Sequence, residues 1–168
     1  FEALDKLFSK RPALKTKVKV KLIGGVGNYT NYREENLKSD IEKSALGNII
    51  EVIPSVSYQK SLKYMRQSDC LVVIDANFSP SPFFPSKVVD YAGSQTTILG
   101  ITPDQSPTAN FLENLGYKAF NYKQTNEVAA YLEGLINGLI KPKIDQKYLD
   151  KFNVKSTTSY LFKIFNEI

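Results

Sequence analysis

The sequence predicts an α/β domain of the Rossmann-like, doubly wound kind, a parallel sheet with helices on both faces. Three observations predict it. Short β-rich runs alternate with apolar clusters at helical spacing along the 168 residues. The central run Leu71-Val72-Val73-Ile74 is apolar without alternation, the pattern of a strand buried on both faces. Glycine, proline and serine punctuate the ends of these segments at nearly every change of period.

Taken in order, Phe1, Leu4, Leu7 and Phe8 have helical spacing and are stopped by Arg11-Pro12. Val18, Val20 and Leu22 alternate with lysines as a strand that runs into the glycine-rich turn Gly24-Gly25-Val26-Gly27. A helix from about Glu34 to Leu46 ends at Gly47-Asn48, and Ile49 to Ile53 form a strand closed by Pro54. Ser57 is placed to cap a helix whose apolar face is Tyr58, Leu62 and Met65, and Leu71 to Ile74 form the next strand. An irregular segment from Asp75 to Phe84 leads into a helix opened by Pro85, since proline suits the first helical turn. A strand over Thr96 to Ile101, a helix from Pro107 to Leu115, a strand over Lys118 to Tyr122 and a helix carrying Val128, Ala129, Leu132, Leu135, Ile136 and Leu139 complete the alternation. Lys141-Pro142-Lys143 then breaks the chain before a last amphipathic helix with Leu161, Ile164, Phe165 and Ile168. The organisation expected is one domain over residues 1–140 and a tail over 141–168.

Composition narrows the chemistry. The chain has no histidine, which removes imidazole triads, imidazole metal centres and imidazole proton shuttling from it. The single cysteine, Cys70, has no partner for an internal disulfide, and no apolar run reaches the roughly 20 residues that span a bilayer. The start lacks a signal peptide's basic and apolar regions. A cytoplasmic setting is expected, with no metal. The formal charge is +5, and all of the excess lies in residues 1–21, which hold seven Lys/Arg against two Asp/Glu. A lysine-bearing solvated helix and edge strand account for that asymmetry, and nothing in it calls for a nucleic acid.

In a doubly wound sheet, ligands bind beyond the carboxyl ends of the strands. Gly24 and Gly25 would let a backbone approach a phosphate, although the third glycine of a dinucleotide fingerprint is missing and a plain turn fits equally. The run Phe83-Phe84-Pro85-Ser86-Lys87-Val88-Val89-Asp90 is more specific. Backbone N–H groups at Ser86 and Lys87, the positive end of the helix and the Lys87 ammonium together suit a pyrophosphate. One turn deeper, Asp90 suits a pair of ribose hydroxyls, because a carboxylate only accepts hydrogen bonds. An ordinary helix start with a surface lysine and aspartate remains the alternative.

At these residues the chain resembles the C-terminal, donor-binding domain of retaining glycosyltransferases of the GT-B fold, the group 1 family. The resemblance follows the order of four blocks, Lys19 to Gly25, Val52 to Tyr58, Leu62 to Ile74 and Pro85 to Tyr91. It implies a hexosyltransferase of bacterial polysaccharide synthesis that takes a UDP- or GDP-sugar as donor, with no further cofactor. It implies Pro54, Ser55 and Val56 as the wall of a base pocket and Ser81, Phe83 and Phe84 as the stretch facing the sugar. Pro85, Ser86 and Lys87 become the phosphate cradle, Asp90 the ribose acid, and Lys87 the group that meets charge on the departing diphosphate. It further implies partners: an absent N-terminal acceptor-binding domain, a glycan or lipid-linked acceptor, and peripheral contact of the intact enzyme with a membrane. A first strand would lie upstream, and the tail would pack on this domain or on the absent one. Pro82 stands where the family usually has glutamate, and Gln95-Thr96-Thr97 where Gly-x-Pro is usual. The alternatives are a sugar-nucleotide epimerase of the same architecture and a non-catalytic binding module.

Overall fold

The computed structural model describes residues 1–24, 34–78 and 80–167. The fold is α/β of the Rossmann-like, doubly wound type: every strand pair is parallel, and successive paired strands are linked through helices. The chain divides into two compact units, Phe1–Ser61 with Gln124–Lys141 and Leu62–Lys123 with Pro142–Ile168.

In the first unit, β1 (Val20–Ile23) pairs with β2 (Ile50–Ile53), the ladder running from Val20 opposite Ile50 to Ile23 opposite Ile53. Helix α1 (Glu2–Lys10) precedes β1 and α2 (Glu34–Lys43) joins the two strands. The core is a cluster of Leu7, Phe8, Leu14, Leu46, Ile49 and Ala129, the last from α6 (Thr125–Ile136). Arg11 Nε donates to Glu133 Oε1 at 3.0 Å, tying the end of α1 to α6. Between α1 and β1 the alternation of Val18, Val20 and Leu22 predicts a longer strand than forms. Pro12 to Lys17 wind instead into a 3₁₀ turn, which Pro12 suits at its first position, and Val18 is the extended residue that ends it.

Helix α3 (Tyr58–Gln67) leads to the second unit, where β3 (Cys70–Ile74), β4 (Thr97–Ile101) and β5 (Lys118–Phe120) form a sheet in that order. Helix α4 (Lys87–Ser94) joins β3 to β4, and α5 (Pro107–Asn114) joins β4 to β5. Val73, Val88, Ala92, Ile98, Phe111, Leu112, Leu115 and Tyr117 make one buried cluster, so both helices and the sheet share a core. The tail adds to it. Ile144, Tyr148 and Leu149 pack against the cluster, Asp145 N–H donates to the Leu115 carbonyl at 3.0 Å, and Phe152 stands edge-on to Phe111 at 5.1 Å.

Strand β3 departs from its expected burial. Leu71 and Val73 are buried, but Val72 is 45% and Ile74 63% exposed. Successive side chains of a strand point to opposite faces, so α4 and α5 cover one face of β3 only. The tail runs through α7 (Gln146–Leu149) and a 3₁₀ turn to α8 (Val154–Asn166), whose apolar residues Leu161, Ile164 and Phe165 are exposed. Ile168, expected on that same side, lies outside the described residues. Among the described residues no helix is long and apolar enough to cross a membrane.

Candidate functional site

The carboxyl ends of β3, β4 and β5 open onto one rim, and both crossover helices follow their strands there, α5 after a short loop and α4 after the longer one that begins at Asp75. The ladder continues one residue past each strand: Asp75 N–H donates to the Ile101 carbonyl at 3.0 Å and Thr102 N–H to the Phe120 carbonyl at 2.9 Å. Asp75 is thereby fixed at the root of the loop between β3 and α4. Its carboxylate is buried and engaged on both oxygens. Oδ1 accepts the Ala76 N–H and Oδ2 accepts the Thr108 hydroxyl, each at 3.0 Å. Thr108 lies in the first turn of α5, where buried Ser106 caps the helix by accepting the Ala109 N–H at 2.9 Å and Pro107 takes the first helical position. One buried carboxylate thus ties the end of β3 to the start of α5. Across the rim, the Tyr122 hydroxyl is pushed up from its ordinary pKa by burial and by the charge of Asp75.

The loop from Asp75 to Phe84 is irregular as expected but anchored. Phe78 N–H donates to the Ala76 carbonyl at 2.9 Å, and the buried Ser81 hydroxyl accepts the Phe83 N–H at 3.3 Å. Phe84 stands edge-on to Phe111 at 5.2 Å. At the start of α4 the chain turns helical one residue early, with Ser86 already at φ −55°, ψ −33° and its hydroxyl making no cap. The Val88 and Val89 N–H groups are taken by the Pro85 and Ser86 carbonyls, while among the described residues no acceptor takes those of Ser86 and Lys87. Ser86 and Lys87 are exposed, and Asp90, one turn on, is half-buried. Val88 and Ala92 hold the opposite side of α4 in the core.

Ser81, Phe83, Phe84, Pro85, Ser86, Lys87 and Asp90 therefore share one loop and helix start on the second unit. Ser81 and Phe84 differ from the rest, since one is buried and the other is turned to Phe111, so both shape the loop. On the first unit, Gly24 and Ser55 meet: Gly24 N–H donates to the Ile53 carbonyl at 3.1 Å, and the Ser55 hydroxyl donates to the Gly24 carbonyl at 3.3 Å. Gly24 has φ +123°, a conformation only glycine adopts without strain. Pro54 and Ser55 are exposed and Val56 is half-buried, while Gly25 lies outside the described residues. Asp75, Thr102, Ser106 and Thr108 were not among the residues expected at the rim. The available signals were an aspartate directly after an apolar strand and a serine directly before a helix-opening proline.

No family model matches the chain. Among curated proteins, an NAD-dependent protein deacetylase of Listeria monocytogenes serotype 4b (strain F2365) is 34% identical over 80 residues, 43% of this chain and 34% of that protein. The chain thus spans about a third of the length of that relative. This match overturns the resemblance to group 1 glycosyltransferases. With it go hexosyl transfer, the glycan or lipid-linked acceptor, a role in polysaccharide synthesis, and a UDP- or GDP-sugar as the ligand. The sugar-nucleotide epimerase alternative goes with the same finding. The physical reason lies in what the four blocks encode. A strand ending in glycine, an apolar strand and a helix start near proline are features that many parallel α/β domains share whatever their activity. The residues that would have been specific to the transferases, at Pro82 and at Gln95-Thr96-Thr97, are the ones that differ.

Proposed function

We propose that this chain is the nucleotide-cofactor-binding part of an NAD-dependent enzyme, with the dinucleotide held at the rim formed by β3, α4 and α5. The observation that carries the reading is the exposed start of α4, where two N–H groups and a lysine are presented without a capping side chain. Such a helix start favours an anion by its partial positive charge and by its outward N–H groups. In this reading Ser86 and Lys87 hold the pyrophosphate, and Asp90 accepts from ribose hydroxyls. Asp75 acts from beneath: with both oxygens engaged and the residue buried, it positions the loop and does not touch the ligand. NAD is preferred over other nucleotides because the curated relative is named for it. When bound, NAD would supply a nicotinamide ring that can be reduced or whose bond to ribose can be broken; the chain supplies binding, orientation and the neutralisation of phosphate charge. With no histidine in the sequence, proton transfer on this chain falls to carboxyl, hydroxyl or amine groups. A cytoplasmic setting belongs to the same proposal and is supported by the single cysteine, a usage typical of reducing compartments.

The test is calorimetric titration of the chain with NAD⁺, repeated on Lys87→Ala. Charge-assisted hydrogen bonds are worth about 1.5–3 kcal/mol, so losing the Lys87 ammonium should weaken binding by about tenfold or more. Absence of saturable NAD⁺ binding at millimolar concentration, or equal affinity in the variant, would refute the assignment.

A further inference from the structure

Phe78 and Phe83 are large apolar side chains, yet they are 56% and 46% exposed. Their ring centroids lie 5.6 Å apart with the planes inclined at 51°. At that spacing two rings attract each other, so the pair is held as a unit at the surface. The backbone beneath enforces the exposure. The loop is rooted by the Asp75 carboxylate on the Ala76 N–H, turned by the Phe78 N–H on the Ala76 carbonyl, and pinned again where buried Ser81 accepts the Phe83 N–H. The contrast with the next residue is direct: Phe84 packs on core residue Phe111, whereas Phe83 pairs with Phe78 away from it. Lys87 lies four positions after Phe83, a backbone path of at most about 14 Å. A nucleotide can bridge that span from its base to its phosphates.

We infer that the Phe78–Phe83 pair is the stacking platform for a planar heterocyclic ring of the bound nucleotide. This rests on the proposed nucleotide binding at the start of α4 and adds how the ring is recognised. Stacking on an aromatic face accepts any base, since every base has a π-face. The pair therefore contributes affinity for the ring as such, and the choice among bases comes from elsewhere.

The experiment titrates the chain with NAD⁺, AMP, UMP and ribose 5-phosphate, and repeats the series on Phe78→Ala, Phe83→Ala, Phe83→Leu and Phe83→Tyr. Both alanine variants should lose roughly tenfold or more in affinity for NAD⁺ and AMP, the loss expected when a stacking ring is removed, and none for ribose 5-phosphate. Phe83→Leu should behave as the alanine variant, and Phe83→Tyr should restore binding, because a structural apolar contact would accept leucine and a stacking one requires the ring. If NAD⁺ fails to bind but AMP or UMP binds in a Phe83-dependent way, the platform stands and the NAD reading falls. If the phenylalanine variants bind NAD⁺ and AMP as the parent does, the platform falls and the NAD reading stands. If no nucleotide binds, both fall.

Discussion

Replacing Thr108 by valine isolates the tie between β3 and α5. The side chain is fully buried and its hydroxyl donates to Asp75 Oδ2 at 3.0 Å. Valine has nearly the same shape, so no cavity forms and the change is confined to one lost donor. What remains is a buried carboxylate oxygen facing a methyl group. A hydrogen bond to a charged group contributes about 1.5–3 kcal/mol, and a buried group left unpaired costs its full desolvation. The expected loss is therefore about 2–3 kcal/mol, a large share of the roughly 5–15 kcal/mol by which domains are stable. Asp75→Asn supplies the control. Its amide oxygen still accepts from the Ala76 N–H, and its NH₂ donates to a Thr108 hydroxyl that rotates to accept, so the pair stays satisfied and the cost stays below about 1 kcal/mol. Because the chain has two units, a single denaturation midpoint is an insufficient readout. Native-state hydrogen exchange at the Ile98 and Leu99 amides of β4 reports the second unit directly. A Thr108→Val variant whose exchange free energy lies within about 0.5 kcal/mol of the parent would show that Asp75 has no need of that donor, and the account of the rim would be wrong.

Three further outcomes follow from other places in the fold. Gly116 sits at φ +87° just after α5, and a Cβ there would press on the Lys143 carbonyl of the returning tail. Gly116→Ala should cost about 1–3 kcal/mol from strain and contact together, seen as a fall of several degrees in the thermal midpoint by circular dichroism. Ser106→Ala removes the cap of α5 and should cost about 1–2 kcal/mol, measured by urea denaturation. Burial, reinforced by the Asp69 charge and only partly offset by the Leu99 backbone hydrogen bond, pushes the Cys70 thiol up to about 11 from 9.0. Its alkylation by iodoacetamide at pH 8 should run about a hundredfold slower than that of an ordinary thiol, through the lower thiolate fraction. The sign for stability is a loss with rising pH: between about 9 and 11 the unfolded chain releases a proton that the folded chain keeps.

What the sequence made legible was what short-range chemistry decides. Pro12, Pro54 and Ser106-Pro107 mark ends of elements because they restrict or cap the backbone wherever they stand, whereas the helix expected to reach Leu46 and stop at Gly47 already ends at Lys43. The parallel α/β alternation followed from periodicity alone. Burial was less legible, because it depends on what lies across from a residue. The run Leu71 to Ile74 is uniformly apolar, yet Val72 and Ile74 are exposed because α4 and α5 cover one face of β3. Asp75 read as part of an irregular loop, since nothing local announces that Thr108, 33 residues away, will meet its carboxylate. The family resemblance misled for a related reason: the blocks that carried it belong to the architecture, and one architecture hosts many unrelated activities.

The rim separates into two sets of residues, and that separation has a measurable consequence. Asp75, Ser81, Ser106 and Thr108 are buried and hydrogen-bonded, so they hold the loop and the start of α5 in place. Phe78, Phe83, Ser86 and Lys87 are exposed and contribute little to the core. Keeping two phenylalanines about half exposed forgoes part of the roughly 1.5–3 kcal/mol that full burial of each would contribute, a cost that a mere connector has no reason to carry. If the exposed set exists to meet a ligand, truncating Phe78, Phe83 or Lys87 leaves the thermal midpoint of the free chain nearly unchanged. The same variants then reduce the rise in midpoint that saturating NAD⁺ produces, because that rise reports binding to the folded state alone. Variants of the buried set should lower the midpoint with and without NAD⁺. A truncation at Phe83 that destabilised the free chain as much as Thr108→Val does would place that ring among the supports of the loop, and the division between holding and binding residues would not survive.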